Sequence, residues 1–216
     1  MEFKNENEVL DELRRDADES VRLFSNQGQK ELEKRVVRGF LRALGIDFLE
    51  EQLRYGQTEP IDICFLGARF QITERMDLGR RRNLEIKKVA ERRQNARSLE
   101  DLLEPHISSR PLGPRLVSDL VLEETKRKWE KYRNGCRGVD MLVYINFKSY
   151  HLFPLSPWPD FTDFINFRKQ GWRSVSVLMG WYATVLFTEM TAPDFLKSVV
   201  GQTRHEWQQP DGMFDP

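Results

Sequence analysis

The stretch Glu59-Pro60-Ile61-Asp62-Ile63-Cys64-Phe65-Leu66-Gly67-Ala68-Arg69-Phe70-Gln71-Ile72-Thr73-Glu74 decides how this chain folds. Ile61, Ile63 and Phe65 alternate with Asp62 and Cys64, and Phe70 and Ile72 then alternate with Arg69, Gln71 and Thr73. Period-two alternation marks strands, and Leu66-Gly67 fits a two-residue hairpin loop with Gly where positive φ is required. That loop sets Phe65 opposite Ala68, Ile63 opposite Phe70 and Asp62 opposite Gln71. Cross-strand partners share a face. One face is therefore apolar (Ile61, Ile63, Phe65, Phe70, Ile72), and the other gathers Asp62, Arg69, Gln71 and Thr73.

Upstream, the spacing predicts an N-terminal helix over 6–24, broken at Ser25-Asn26-Gln27-Gly28, and a second helix over 29–44. Leu32, Val36, Val37, Phe40, Leu41 and Leu44 form the apolar stripe of that second helix, and Gly45 stops it. Residues 46–54 are expected to open a first strand. Downstream, a basic loop leads to a helix over 83–103, then a Pro- and Ser-containing loop and a helix over 115–134. Leu116, Leu120, Thr125 and Trp129 are expected near one face of the 115–134 helix. Residues 139–147 have the near-continuous apolar character of a buried strand. A loop holding Pro154, Pro157 and Pro159 follows, and 174–180 and 181–188 read as two further strands, expected as a hairpin. A short helix over 191–200 takes Thr191 as its cap. The order of elements predicts an α/β fold, a mixed sheet flanked by helices. The expected organisation is an N-terminal helical extension over 1–28, an α/β domain over 29–200 and a C-terminal tail over 201–216.

Composition narrows the class. With 216 residues, 39% hydrophobic and 31% charged, the chain can bury a full core. No window is apolar enough for a transmembrane helix, and the acidic, polar N-terminus does not read as a signal peptide. Cys64 and Cys136 stand far apart, and His106, His151 and His205 are scattered. That excludes a disulfide framework and the usual structural zinc site, and leads to the expectation of a cytoplasmic location. Thirty-four basic residues balance 34 acidic ones, so net charge gives nucleic acid no support. Locally the balance is uneven. Residues 75–97 hold Arg75, Arg80, Arg81, Arg82, Lys87, Lys88, Arg92, Arg93 and Arg97 against Asp77, Glu85 and Glu91. Such a run is either a solvated helix face or a strip that contacts phosphates.

The order of elements and the polar hairpin face resemble the core of the PD-(D/E)xK nucleases. In that family a helix bearing Glu precedes a hairpin whose first strand carries an acid and whose second carries (D/E)xK. Here Glu33 stands on the helix, Glu59-Pro60-Ile61-Asp62 stands where the family has PD, and Gln71-Ile72-Thr73 stands where it has (D/E)xK. The resemblance covers about residues 29–103, with 139–147 matching a later core strand. More closely, the chain resembles an uncharacterised bacterial family described as "putative endonucleases". The resemblance implies a restriction-endonuclease-like fold and a metal-dependent endonuclease cleaving phosphodiester bonds of nucleic acid, with DNA as the expected substrate.

The implied chemistry needs a hard divalent cation, Mg²⁺ or Mn²⁺, on oxygen ligands, and a Lys near the attacking water. Asp62, Gln71 and Glu33 are the implied metal ligands. Thr73 replaces the Lys, so Lys87 or Lys88 from the following helix is expected to stand in. Arg80, Arg81, Arg82, Lys88 and Arg92 would contact phosphates. Alternatively, Glu85-Ile86-Lys87 could be the literal ExK string. Bland alternatives stand beside these: Glu33 as a solvated helix residue, Asp62, Gln71 and Thr73 as exposed strand positions, and Trp129, Trp158, Trp172 and Trp181 as packing groups. Two other functions remain open, a catalytically degenerate nuclease fold that binds nucleic acid without cleavage, and a protein-interaction module. A homodimer or a protein partner fits either. There is no GxGxxG or GxxxxGK[ST] motif for a nucleotide.

Overall fold

A computed structural model of the chain describes residues 5–23, 28–77, 79–103, 110–148, 150–152 and 164–205. The expected break at 25–27, most of the Pro-containing loops with Trp158, and the tail from 206 onward lie outside the described residues. The chain divides into two compact units, residues 1–32 with 78–108, and residues 33–77 with 109–216.

In the first unit α1 (Glu6–Leu23) packs on α3 (Arg82–Asn95). The pair is fastened by polar contacts: Arg14 donates to the Ala96 carbonyl at 2.9 Å, Gln94 to Asp18 at 3.1 Å, and the Leu99 N–H to Glu6 at 2.8 Å. α3 ends earlier than the sequence predicts. At Ala96 the backbone turns extended, and Asp101 accepts from the Arg97 and Ser98 N–H groups, so a separate short turn over Glu100–Leu102 replaces the last helical turns.

The second unit is built on a seven-stranded mixed sheet. Its strands are β1 (Arg54–Tyr55), β2 (Ile63–Phe65), β3 (Ala68–Met76), β5 (Asp140–Asn146), β7 (Ser174–Met179), β8 (Tyr182–Thr188) and β9 (Thr203–His205), neighbours in that order. The central pairs β3–β5 and β5–β7 are parallel, and the flanking pairs are antiparallel. A separate parallel pair joins β4 (Arg110–Leu112) to β6 (Tyr150–Leu152). The hairpin forms in the predicted register, with Ile63 opposite Phe70 and Phe65 opposite Ala68. Its turn places Leu66 at φ +41° and Gly67 at φ +81°, the positive pair that a two-residue hairpin loop demands. The segment expected to open a first strand forms a short turn over Glu50–Gln52 and only two residues of edge strand.

Each sheet face carries its own core. On one, α2 (Gln29–Leu44) presents Val36, Val37, Phe40, Leu41 and Leu44 to Ile63, Phe65, Phe70, Ile72, Leu142 and Leu178. Each such side chain, fully buried, contributes about 1.5–3 kcal/mol. On the other, α4 (Pro114–Tyr132) and α5 (Phe164–Gln170) cover Met141, Val143, Ile145, Val175 and Val177. Val117, Val121, Glu124 and Thr125 of α4 are buried, and Leu120 and Trp129 pack against this core, so of the residues expected on the inner face only Leu116 is exposed. At the end of the sheet, α6 spans only Asp194–Lys197, with Pro193 rather than Thr191 at its N-cap. Pro193 fixes its own φ at −55° and, having no N–H, suits a helix start. Trp172 is fully buried and Trp129 packs against the second core, as expected for packing groups, whereas Trp181 is partly exposed.

Candidate active site

β2 is short, and Asp62 sits one residue before it. The ladder continues through one bond, from the Asp62 N–H to the Phe70 carbonyl at 2.8 Å. Beyond that the chain turns away from β3, and the Ile72 N–H is met by the Asp62 carboxylate, at 2.7 Å. The same oxygen, Oδ2, accepts from Gln71 Nε2 at 2.5 Å. The approach to Asp62 is fixed from behind by Gly56, whose N–H donates to the Asp62 carbonyl at 2.8 Å. A Cβ on Gly56 would collide with the Ile61 carbonyl oxygen, so only glycine lets these two backbones meet.

The polar hairpin face is exposed at Arg69 and half-buried at Asp62, but it is closed to solvent at Gln71 and Thr73. Gln71 is 2% exposed and Thr73 6%, because α4 lies over them. Gln71 spends both Nε2 hydrogens, on Asp62 and on the Ile72 carbonyl at 3.1 Å, while its buried Oε1 has no hydrogen-bond partner. Thr73 Oγ1 donates to Glu124 at 3.3 Å and accepts from Arg127 at 3.0 Å. Glu124 is buried and bridges Arg75 at 3.0 Å and Arg127 at 2.7 Å. The position where the resembled family keeps its Lys is therefore occupied by a hydroxyl inside an ion-pair network.

A lysine does reach this region, from α4. The Lys128 charge acts on Asp62 and pulls its pKa down, while the Glu33 charge on α2 pushes it up. Burial is the largest influence and, set against the Ile72 N–H, leaves the Asp62 carboxyl raised to about 6. Burial also lowers Lys128 from its ordinary value, partly offset by Asp62. Both members of this pair are thus moved towards neutrality, which means that desolvation outweighs their mutual attraction. Among the described residues Lys128 makes no hydrogen bond or ion pair, and its Nζ lies 5.8 Å from the Tyr132 ring centre.

The expected residues divide between the two units. Glu33, Asp62 and Gln71 are brought within mutual influence in the second. Lys87 and Lys88 are exposed residues of α3 in the first. Glu85, the acid of the ExK string, is held by Arg80 at 2.7 and 2.9 Å. Arg92 donates to the carbonyls of Asp101 and Leu103, at 3.0 and 2.7 Å. Arg81 is exposed at the cap of α3, where Arg82 begins the helix. Lys128, Glu124 and Arg127 were not among the expected residues, although a signal existed. Val117, Val121, Glu124 and Lys128 follow i, i+4, i+7, i+11 spacing, so the apolar stripe of α4 runs straight into two charges.

A half-buried carboxyl, an orphaned amide oxygen and a lysine at a hairpin of a mixed sheet define an α/β protein with a polar site on its central sheet. The chain belongs to the family described as "Putative endonuclease, protein of unknown function (DUF1780)", matched over residues 5–208. No curated protein sequence matches it. Among solved structures it is similar to a protein of unknown function from Pseudomonas aeruginosa strain PAO1, described as of a monooxygenase superfamily. The two share 21% identity over 98% of this chain and 100% of that one, with a TM-score of 0.66, a likeness of fold. Among the described residues no helix is long and apolar enough to cross a membrane.

Proposed function

We propose that this protein is a divalent-metal-dependent endonuclease of the PD-(D/E)xK type, acting on DNA, with its active site at Asp62, Gln71, Glu33 and Lys128. The observation that carries the reading is the buried Gln71 Oε1, unpartnered beside a carboxyl whose pKa is raised to about 6. A buried acceptor left without a donor costs about 1–3 kcal/mol, and a cation offsets that cost. The donor set is two carboxylates and an amide oxygen, all hard ligands that fit Mg²⁺ or Mn²⁺. Such an ion, when bound, would lower the pKa of a coordinated water and neutralise charge on the phosphate. Lys128, with its lowered pKa and no anion in contact, takes the role of the missing Lys: it orients the attacking water and shuttles its proton. Lys128 on α4 thus stands in place of Lys87 or Lys88, the residues expected from the sequence. Nuclease action also agrees with the family's description.

A second reading is binding without cleavage. It is favoured by one observation: among the described residues no group of three His, Cys, Asp or Glu side chains is placed to hold a metal. One experiment separates the two. Cleavage of supercoiled DNA is measured with Mn²⁺ for the wild type, Asp62→Asn and Lys128→Met. The nuclease reading expects a fall of about 100-fold or more in both variants, the scale on which a catalytic acid–base group acts. Wild-type protein that never cuts but retains DNA binding supports the second reading.

A further inference from the structure

A cleft of about 450 Å³ opens where the end of α4 meets the start of β7, lined in part by Trp129, Arg133, Arg137, Lys169 and Arg173. Its charges do not cancel. Arg168 pairs with Glu189 at 2.8 Å, and Arg173 is consumed by Asp140 and by the Gly67 carbonyl. Arg133, Arg137 and Lys169 are left with no carboxylate in ion-pair contact among the described residues, a surplus of three positive charges on one concave surface.

Arg133 is held over a ring, and the stem of Arg137 is packed. Arg133 has φ +49° at the end of α4, a conformation few non-glycine residues adopt, and its guanidinium lies 4.8 Å from the Trp129 ring centre. The stem of Arg137 lies over Gly171, at φ +82°, where an added Cβ would come within 3.1 Å of Arg137 Cγ. Cations fixed before binding lose little entropy when they meet an anion. The cleft also adjoins the hairpin that carries Asp62. Arg173 donates to Gly67 in its turn, and Arg69 of β3 donates to Gly138 in the cleft wall at 2.5 Å. Lys128 of the candidate active site directly precedes Trp129.

We propose that this cleft binds phosphodiester groups of the nucleic acid, with Arg133, Arg137 and Lys169 as the contacts, and holds the strand beside the Asp62 site. The proposal rests on the nuclease reading for its substrate but not on cleavage. Binding of a short fluorescein-labelled DNA duplex is followed by anisotropy at several salt concentrations in EDTA. Arg133→Ala/Arg137→Ala/Lys169→Ala is expected to weaken binding about tenfold or more. It is also expected to flatten the slope of log K against log salt by between two and three, at about 0.9 per lost phosphate contact. Arg137→Lys keeps the charge and should bind nearly as wild type does, and because EDTA removes any divalent cation the result does not depend on cleavage. A triple variant with the wild-type melting temperature and an unchanged slope overturns the proposal. So does a wild type that ignores the duplex while inorganic pyrophosphate raises its melting temperature and the triple variant loses that rise. The cleft would then hold a small free phosphate instead.

Discussion

Two aspartates at the central sheet are withdrawn from water, Asp140 fully and Asp62 in part, and their surroundings are opposite in kind. Asp140 opens β5 with no exposed surface and accepts from the Arg69 N–H at 2.7 Å, Ser174 Oγ at 2.8 Å and Arg173 Nε at 3.1 Å, with Arg173 Nη2 as a fourth donor. Asp62 accepts from one N–H and one amide, and a second carboxylate pushes against it. Asp140 ties three segments of the sheet together: the hairpin, β5 and the start of β7. Asp62 is held in position yet left short of positive charge. A buried charge fully met by donors is what a scaffold needs, and one incompletely met is what a site needs in order to gain from a ligand.

Breaking the well-met aspartate should have the largest effect. Asp140→Ala leaves Arg173 buried without its carboxylate, and unfolding in urea should show a loss of about 3–5 kcal/mol. A loss under about 1 kcal/mol would mean that Asp140 is not the clamp its contacts describe.

The second effect is a pH dependence. Asp62 has its folded pKa raised from 3.8 to about 6, so its stabilising contribution is fully present below pH 3.8 and disappears as pH rises through 6. The groups facing it are Glu33 from α2, Lys128 from α4, and Gln71 with the Ile72 N–H from β3. Wild type should therefore lose up to about 3 kcal/mol relative to Asp62→Asn between about pH 4 and pH 7, at about 1.4 kcal/mol for each pH step separating the folded and unfolded pKa. Parallel pH–stability curves for the two proteins would remove the contrast.

The smallest effect tests the orphaned oxygen. Gln71→Glu removes the donor to Asp62 and adds a like charge, and should cost about 1–2 kcal/mol at about pH 7.5 without metal. Mn²⁺ should restore its melting temperature and raise that of wild type less. If Mn²⁺ moves neither, the site does not take a cation.

The hairpin could be read from the chain alone, and its legibility has a local cause. Period-two alternation and a Leu66-Gly67 turn fix register within sixteen residues, from Glu59 to Glu74, and register alone sets Asp62 opposite Gln71. Burial of that polar face could not be read, because it depends on a helix that begins forty residues after Glu74, at Pro114. Asp140 was equally hidden. It opens an apolar run, but its importance comes from Arg173 and Ser174, which meet it only when β5 and β7 pair.

What the sequence by itself determined is local: the amphipathic stripe of α2 and the hairpin with its two faces. Tertiary structure alone brought the charges of Glu33 and Lys128 to bear on Asp62. The rotation of α4 on the sheet turned Glu124 and Lys128 inwards and exposed Leu116, a choice made by the fit of Val117 and Val121 against β5. Helical spacing states which residues share a stripe, but which stripe is buried depends on the surface it meets, and that surface exists only once distant strands have paired.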